Sequence, residues 1–248
     1  MAGRSKLWLL SAALIAAGAA LEAAAVTLYW RPCAGTMLNG SIAIGYRYDS
    51  EFTAECLEAM DRAPLFMLPL PGSGWTLIGL LAAAAGILLA ASWLVLLPAL
   101  RLPKLVSLAA ALPGLLAIAL VVNAVVLSLG PAVVDDGLGR ALEVLSEVSM
   151  LLAVVIIGAA GVAGTLLFRA VIVALVATST GLFHQITEYI AATVLSDANW
   201  DVPPGSGYLT VVVCLVAASA TVVFWWLDKF DTPTPREAVV PVDRSGVS

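Results

Sequence analysis

Charge is the scarcest commodity in this 248-residue sequence: Asp, Glu, Lys and Arg together make up 12% of it. Histidine occurs once and cysteine three times. A single histidine excludes the multi-histidine centres on which zinc hydrolases depend. The cysteines form no Cys-x-x-Cys pair, so thiol redox chemistry of that kind is out. The sequence also lacks a Gly-x-Ser-x-Gly elbow and a Gly-Lys-Ser/Thr phosphate loop, which removes the commonest nucleophilic and nucleotide-binding motifs. No basic stripe or aromatic-basic pattern supports nucleic-acid binding, and the net charge of -5 opposes it. No cofactor is called for by any motif.

Apolar residues fill the space. They make up 61% of the chain, and the mean hydropathy of +1.01 is far from soluble usage. Several runs of eighteen or more mainly apolar residues each suffice to cross a bilayer. The fold class is therefore an all-α integral membrane protein, read as a six-span helical bundle. Abundant Ala, Leu and Val with Arg in excess of Lys fit a GC-rich bacterial genome and a plasma-membrane location.

Residues 1–30 form an N-terminal tail and first span, with Arg4 and Lys6 ahead of the run Leu7 to Trp30. A signal peptide is the rival reading, but the apolar run continues to Tyr29-Trp30, too far for a signal core. Residues 31–74 are the one sizeable polar piece, an extracytoplasmic subdomain between spans one and two. Its first part reads as a β-hairpin about Asn39-Gly40, with Ile42, Ile44, Tyr46 and Tyr48 alternating. A short helix over 51–62 follows, capped by Asp49 or Ser50, with Phe52, Cys56, Leu57 and Met60 on one face. Outside the cell, Cys33 and Cys56 pair as a disulfide that staples hairpin to helix. Asn39-Gly40-Ser41 also matches a glycosylation sequon, but the turn accounts for it.

A five-span bundle occupies residues 75–227. The second span runs from Trp75 to Leu97, and the third from Leu105 to Gly130 with Pro113 as a kink and Asn123 deep inside. The polar stretch Pro131 to Glu147 leads a short helix into the next span, with Glu143 and Glu147 on an interfacial face. Met150 to Val194 holds one charge, Arg169, and divides into two spans about it. One crossing followed by an interfacial helix is the alternative. Gly158, Gly161 and Gly164 mark close helix contact. Pro203-Pro204-Gly205 is a loop, Tyr208 to Leu227 the last span, and residues 228–248 a disordered cytoplasmic tail.

Both termini belong in the cytoplasm on the positive-inside bias. That places Arg4, Lys6, Arg101, Lys104, Arg169, Lys229, Arg236 and Arg244 inside, against Arg31, Arg47, Arg62 and Arg140 outside.

The polar chemistry collects in a few intramembrane residues. His184 and Glu188, one turn apart, share a helix face with small residues, and Gln185 lies beside them. At 1.5 Å per residue, Glu22 lies about 22 Å from the inner start of its span and His184 about 21 Å. Asn123 and Glu188 come at about 27 Å. Glu22, Asn123, His184, Gln185 and Glu188 are thus expected to form one outward-facing polar pocket beneath the stapled subdomain. The structural alternative gives each its own hydrogen bond to a neighbouring helix or headgroup. Cys214 is read as a small apolar core residue.

Three functions compete. A non-catalytic accessory or binding subunit of an envelope complex would use residues 31–74 for a membrane or envelope partner, with lipids around the bundle. A proton- or cation-coupled transporter would use Glu22, His184 and Glu188, although no internal repeat supports it. A metal-dependent enzyme is the third, limited by the three ligands those residues supply. No catalytic or metal-binding set is assigned.

Overall fold

The computed structural model describes residues 2–34, 52–62, 76–129, 137–162, 186, 188–191, 194 and 202–230. Every regular element among them is helical. Five helices are long and apolar enough to cross a membrane. The expected hairpin about Asn39-Gly40 and the expected division of the chain about Arg169 fall outside the described residues.

Helix α1 (Ala2–Tyr29) is built largely from Ala and Leu, both strong helix formers. Its buried positions are Trp8, Ser11, Ala12, Ile15, Gly18, Ala19, Glu22, Ala25 and Val26. That three- and four-residue spacing is one continuous stripe, and Glu22 belongs to it. A 3-10 turn (Arg31–Cys33) follows directly.

Cys33 is bonded to Cys56 on helix α2 (Ala54–Arg62), with the Cα atoms 4.9 Å apart. The expected staple therefore exists, and Cys56 and Met60 face inward as the pattern predicts. The cap differs. Thr53 Oγ1 accepts the Cys56 amide at 3.2 Å, so α2 starts at Ala54, beyond Asp49 and Ser50. Tyr29 also donates its hydroxyl to the Ala59 carbonyl at 2.9 Å, tying α2 to the end of α1.

Helix α3 (Leu77–Leu96) is capped by Thr76, whose hydroxyl accepts the Gly79 amide at 3.0 Å. It passes into a 3-10 turn (Leu97–Leu100), which ends at Arg101 in the left-handed region, φ 53°. Helix α4 (Lys104–Leu129) continues through Pro113. Proline takes one backbone donor out of that turn, and nearby the Trp93 indole donates to the Ala110 carbonyl at 2.7 Å. A Cβ on the adjacent Gly114 would lie 3.0 Å from Leu94, so glycine permits the close approach of α3 and α4 there.

Helix α5 (Gly137–Ile157) runs unbroken from the polar stretch into the apolar one and ends in a π turn (Gly158–Val162). The fourth candidate span accordingly begins near Gly137, some thirteen residues before Met150. Glu143 and Glu147 lie on this helix and are half-buried, while Ser146 and Ser149 are buried. Helix α6 (Tyr208–Phe230) is the last.

The helices pack in the order α6, α1, α3, α4, α5. Three apolar clusters stack along the bundle. At one end Trp8 meets Trp93, Leu96, Met150 and Ile157, with Phe224 and Trp225 against them. In the middle Ile15, Ala19 and Leu89 meet Cys214, Ala217 and Ala218. At the stapled end Ala25, Val26 and Trp30 meet the disulfide, Met60 and Ala82, with Tyr208 beside them. Outward faces are apolar instead of charged: Leu108, Leu112, Leu115, Val122 and Val126 stand exposed along α4. Such faces match acyl chains better than water.

Candidate functional site

The site grows from a problem common to every helix: the amides of the first turn have no partner inside the helix. Helix α6 carries no acidic residue in its first turn. The segment before it, Pro203-Pro204-Gly205-Ser206-Gly207, is a tight turn with Gly205 at φ 96° and Gly207 at φ 103°. Side chains rarely adopt those angles, so glycine at both positions is a requirement of the turn. Ser206 closes it by donating its hydroxyl to the Pro203 carbonyl at 2.8 Å.

The missing acceptor is Glu188, only 1% exposed. One carboxylate oxygen accepts the amides of Gly207 at 2.5 Å and Leu209 at 3.2 Å. The other accepts the Thr210 amide at 2.9 Å and the Thr210 hydroxyl at 3.1 Å. A carboxylate offers about four lone-pair sites. Four donors occupy them. The positive end of the helix dipole points at the same group, which offsets the cost of burying its charge.

Two further contacts hold the start of α6 against α1. The Trp30 indole, fully buried, donates to the Ser206 carbonyl at 2.8 Å. Thr27 Oγ1 and the Tyr208 hydroxyl share a hydrogen bond of 2.9 Å. The turn, α1 and Glu188 thus form one hydrogen-bonded joint at the stapled end.

Glu22 lies below this joint, between the stapled-end cluster and the middle cluster. It is 9% exposed and within electrostatic range of Glu188 and Cys214. No hydrogen bond among the described residues reaches it. Asn123 sits on α4, which packs against α3 and α5, and it is half-buried. His184 and Gln185 lie outside the described residues. Cys214 is fully buried in the middle cluster.

Thr210, Trp30, Ser206 and the Gly207 amide were not legible as site residues beforehand. One signal did exist: a helix opening Tyr-Leu-Thr after two glycines has no acidic or hydroxyl cap of its own, so its acceptor has to come from elsewhere. Compared with protein-family models, curated proteins and solved structures, the chain matches none.

Proposed function

We propose that this chain is a non-catalytic accessory or binding subunit of a bacterial envelope complex, a multi-pass plasma-membrane protein with a polar pocket under an outward-facing stapled platform. The observation that carries the reading is the saturation of Glu188 by four donors at the start of α6. An acid whose acceptor sites are all taken serves as a joint. To bind a metal ion, it would first have to give up donors at the start of α6. That favours architecture over relay for the most buried acid of the layer.

The platform supplies the docking surface. Disulfide, Tyr29–Ala59 bond and Trp30–Ser206 bond fix α2 and the α6 turn onto the end of α1. A rigid surface loses little conformational freedom when a partner binds. Orientation is argued from charge: with eight of twelve basic residues on the side of the termini, the stapled end faces outward. A disulfide also persists on that side. A sixth crossing is supported by the clusters, because Ile157 lies at the Trp8 end and Tyr208 at the stapled end. The chain between them joins opposite ends of the bundle.

The test is affinity purification of the full chain from native membranes in mild detergent, with and without reduction. A stoichiometric membrane or envelope partner, lost when Cys33 and Cys56 are replaced by serine, supports the subunit reading. Recovery of the chain alone under every detergent condition contradicts it. A cation-coupled carrier is the second reading, and Glu22 is the observation in its favour. Proteoliposomes showing cation-driven uptake that Glu22→Gln abolishes would establish it instead.

A further inference from the structure

The two ends of the bundle differ in charge. Between Arg62 and Asp135 the sequence carries only two charged residues, Arg101 and Lys104, and no acid. Both stand in the connection from α3 to α4, and both are exposed. Leu97, Ala99 and Leu100 are buried in the Trp8 cluster, with Leu7, Leu102 and Val106 packed against it, which anchors that connection. Lys6, exposed and two residues before Trp8, adds a third positive charge at the same end. Residues 1–21 and 148–187 contain no Asp or Glu, so neither stretch of chain can supply a carboxylate here. Asp228 is the acid that α6 brings toward this end, and Lys229 follows it directly. On α5 the acids Glu143 and Glu147 stand before Met150, away from Ile157.

Beside the two charges the surface is apolar. Lys104, Leu108, Leu112 and Leu115 keep the spacing of one helix face, and Leu105 adjoins it. Leu105 is 82% exposed and Leu108 71%, the two most exposed large apolar side chains among the described residues. A strip of leucines headed by a basic pair is complementary to a phospholipid, hydrocarbon to hydrocarbon and cation to phosphate. Arginine forks onto phosphate oxygens and lysine adds a compact charge. A zwitterionic headgroup brings a cation of its own against the pair, whereas an anionic one does not. We propose that the α3–α4 connection is a binding site for an anionic glycerophospholipid. Its phosphate lies on Arg101 and Lys104, and its acyl chains lie along Leu105, Leu108 and Leu112. The site goes beyond the subunit reading and does not depend on it.

The test is native mass spectrometry of the full-length protein in detergent, titrated with phosphatidylglycerol or with phosphatidylcholine of the same chain length. Phosphatidylglycerol is expected to be retained several-fold more tightly, and less so as salt is raised. Replacing Arg101 by glycine and Lys104 by glutamine is expected to weaken it by about fivefold for each charge removed. Glycine suits the φ of 53° at position 101, so that change does not threaten the fold. Thermal unfolding without lipid checks this, and Lys104→Gln alone is a second variant. Arg62→Gln, at the stapled end, is expected to bind phosphatidylglycerol as the wild type does. Inorganic phosphate is expected not to displace the lipid. Equal retention of the two lipids, or unchanged retention in the variants, would overturn the site. So would an equal loss in Arg62→Gln, or displacement by inorganic phosphate, which would show an anion site indifferent to lipid. A protein crosslinked through Lys104 in native membranes would likewise overturn it. Co-purification through the stapled platform is a separate readout, so failure of this site and failure of the subunit reading are distinguishable.

Discussion

At the residue scale, the decisive side chain is Glu188, and its contribution is set by what removing it would strand. Three backbone amides and one hydroxyl would lose their acceptor, the Gly207 amide in a buried place and the others in a part-buried one. Hydrogen bonds to a charged group are each worth about 1.5–3 kcal/mol, but those sharing one carboxylate do not add independently. Glu188→Ala is therefore expected to destabilise the protein by about 3 kcal/mol, the order seen when a buried charged partner is removed. Thermal unfolding followed by circular dichroism in detergent measures it. Thr210→Val removes a single donor while keeping the shape, so the loss should be near 1 kcal/mol. An equal loss in the two variants would mean that the carboxylate is not the hub. Gly207 makes a third case: at φ 103°, Gly207→Ala is strained whatever the space around it and should cost about 1–2 kcal/mol.

At the scale of the elements, the helices meet through small residues and shared hydrogen bonds. A Cβ at Gly18 would fall 2.8 Å from Leu89 Cγ and 3.3 Å from the Ala85 carbonyl. The leucine can turn aside, but the carbonyl cannot. Gly18→Val is accordingly expected to cost about 1–3 kcal/mol by overpacking, read in the same unfolding assay. The disulfide closes a loop with a sequence separation of 23 residues, for which chain entropy gives about 3 kcal/mol. Replacing Cys33 and Cys56 by serine should raise amide exchange across Ala54–Arg62 while leaving the middle of α3 protected. Uniform loss of protection would show that the staple supports the whole bundle and not just α2.

Legibility in the sequence followed the same division. Long apolar runs announced five of the spans, since crossing a bilayer takes about 20 apolar residues and nothing subtler. The pairing of Cys33 with Cys56 was legible for the same reason, there being one small subdomain for both to share. The start of α5 was not. Glu143 and Glu147 suggested an interface, but a helix can carry them on one face while Ser146, Ser149 and Met150 turn inward on the other. Thr53 was passed over for Asp49 and Ser50 because capping depends on backbone angles that composition does not show. The role of Glu188 was not legible, because its partners lie 19 to 22 residues further along the chain. Sequence patterns report neighbours one turn away far better than a cap supplied by another segment.

For the whole molecule, six crossings would put both ends of the chain on one side of the membrane. Trp8 and Trp225 meet in one cluster, so the start of α1 and the end of α6 lie at the same end of the bundle. Reporter domains fused at either terminus should both register as cytoplasmic. Labelling of Cys33 and Cys56 should require reduction and then occur with an impermeant reagent added outside. Termini on opposite sides would remove the sixth crossing and with it the outward platform.

The central claim is that Glu188 ties the stapled end together by holding the start of α6. Hydrogen exchange at the Gly207, Leu209 and Thr210 amides, compared between wild type and Glu188→Gln in the full-length protein, tests it most directly. Protection at these three amides is expected to fall by roughly tenfold or more, equivalent to about 1.4 kcal/mol or more of local stability. Amides in the middle of α6 should change far less. Unchanged protection at the three positions would contradict it.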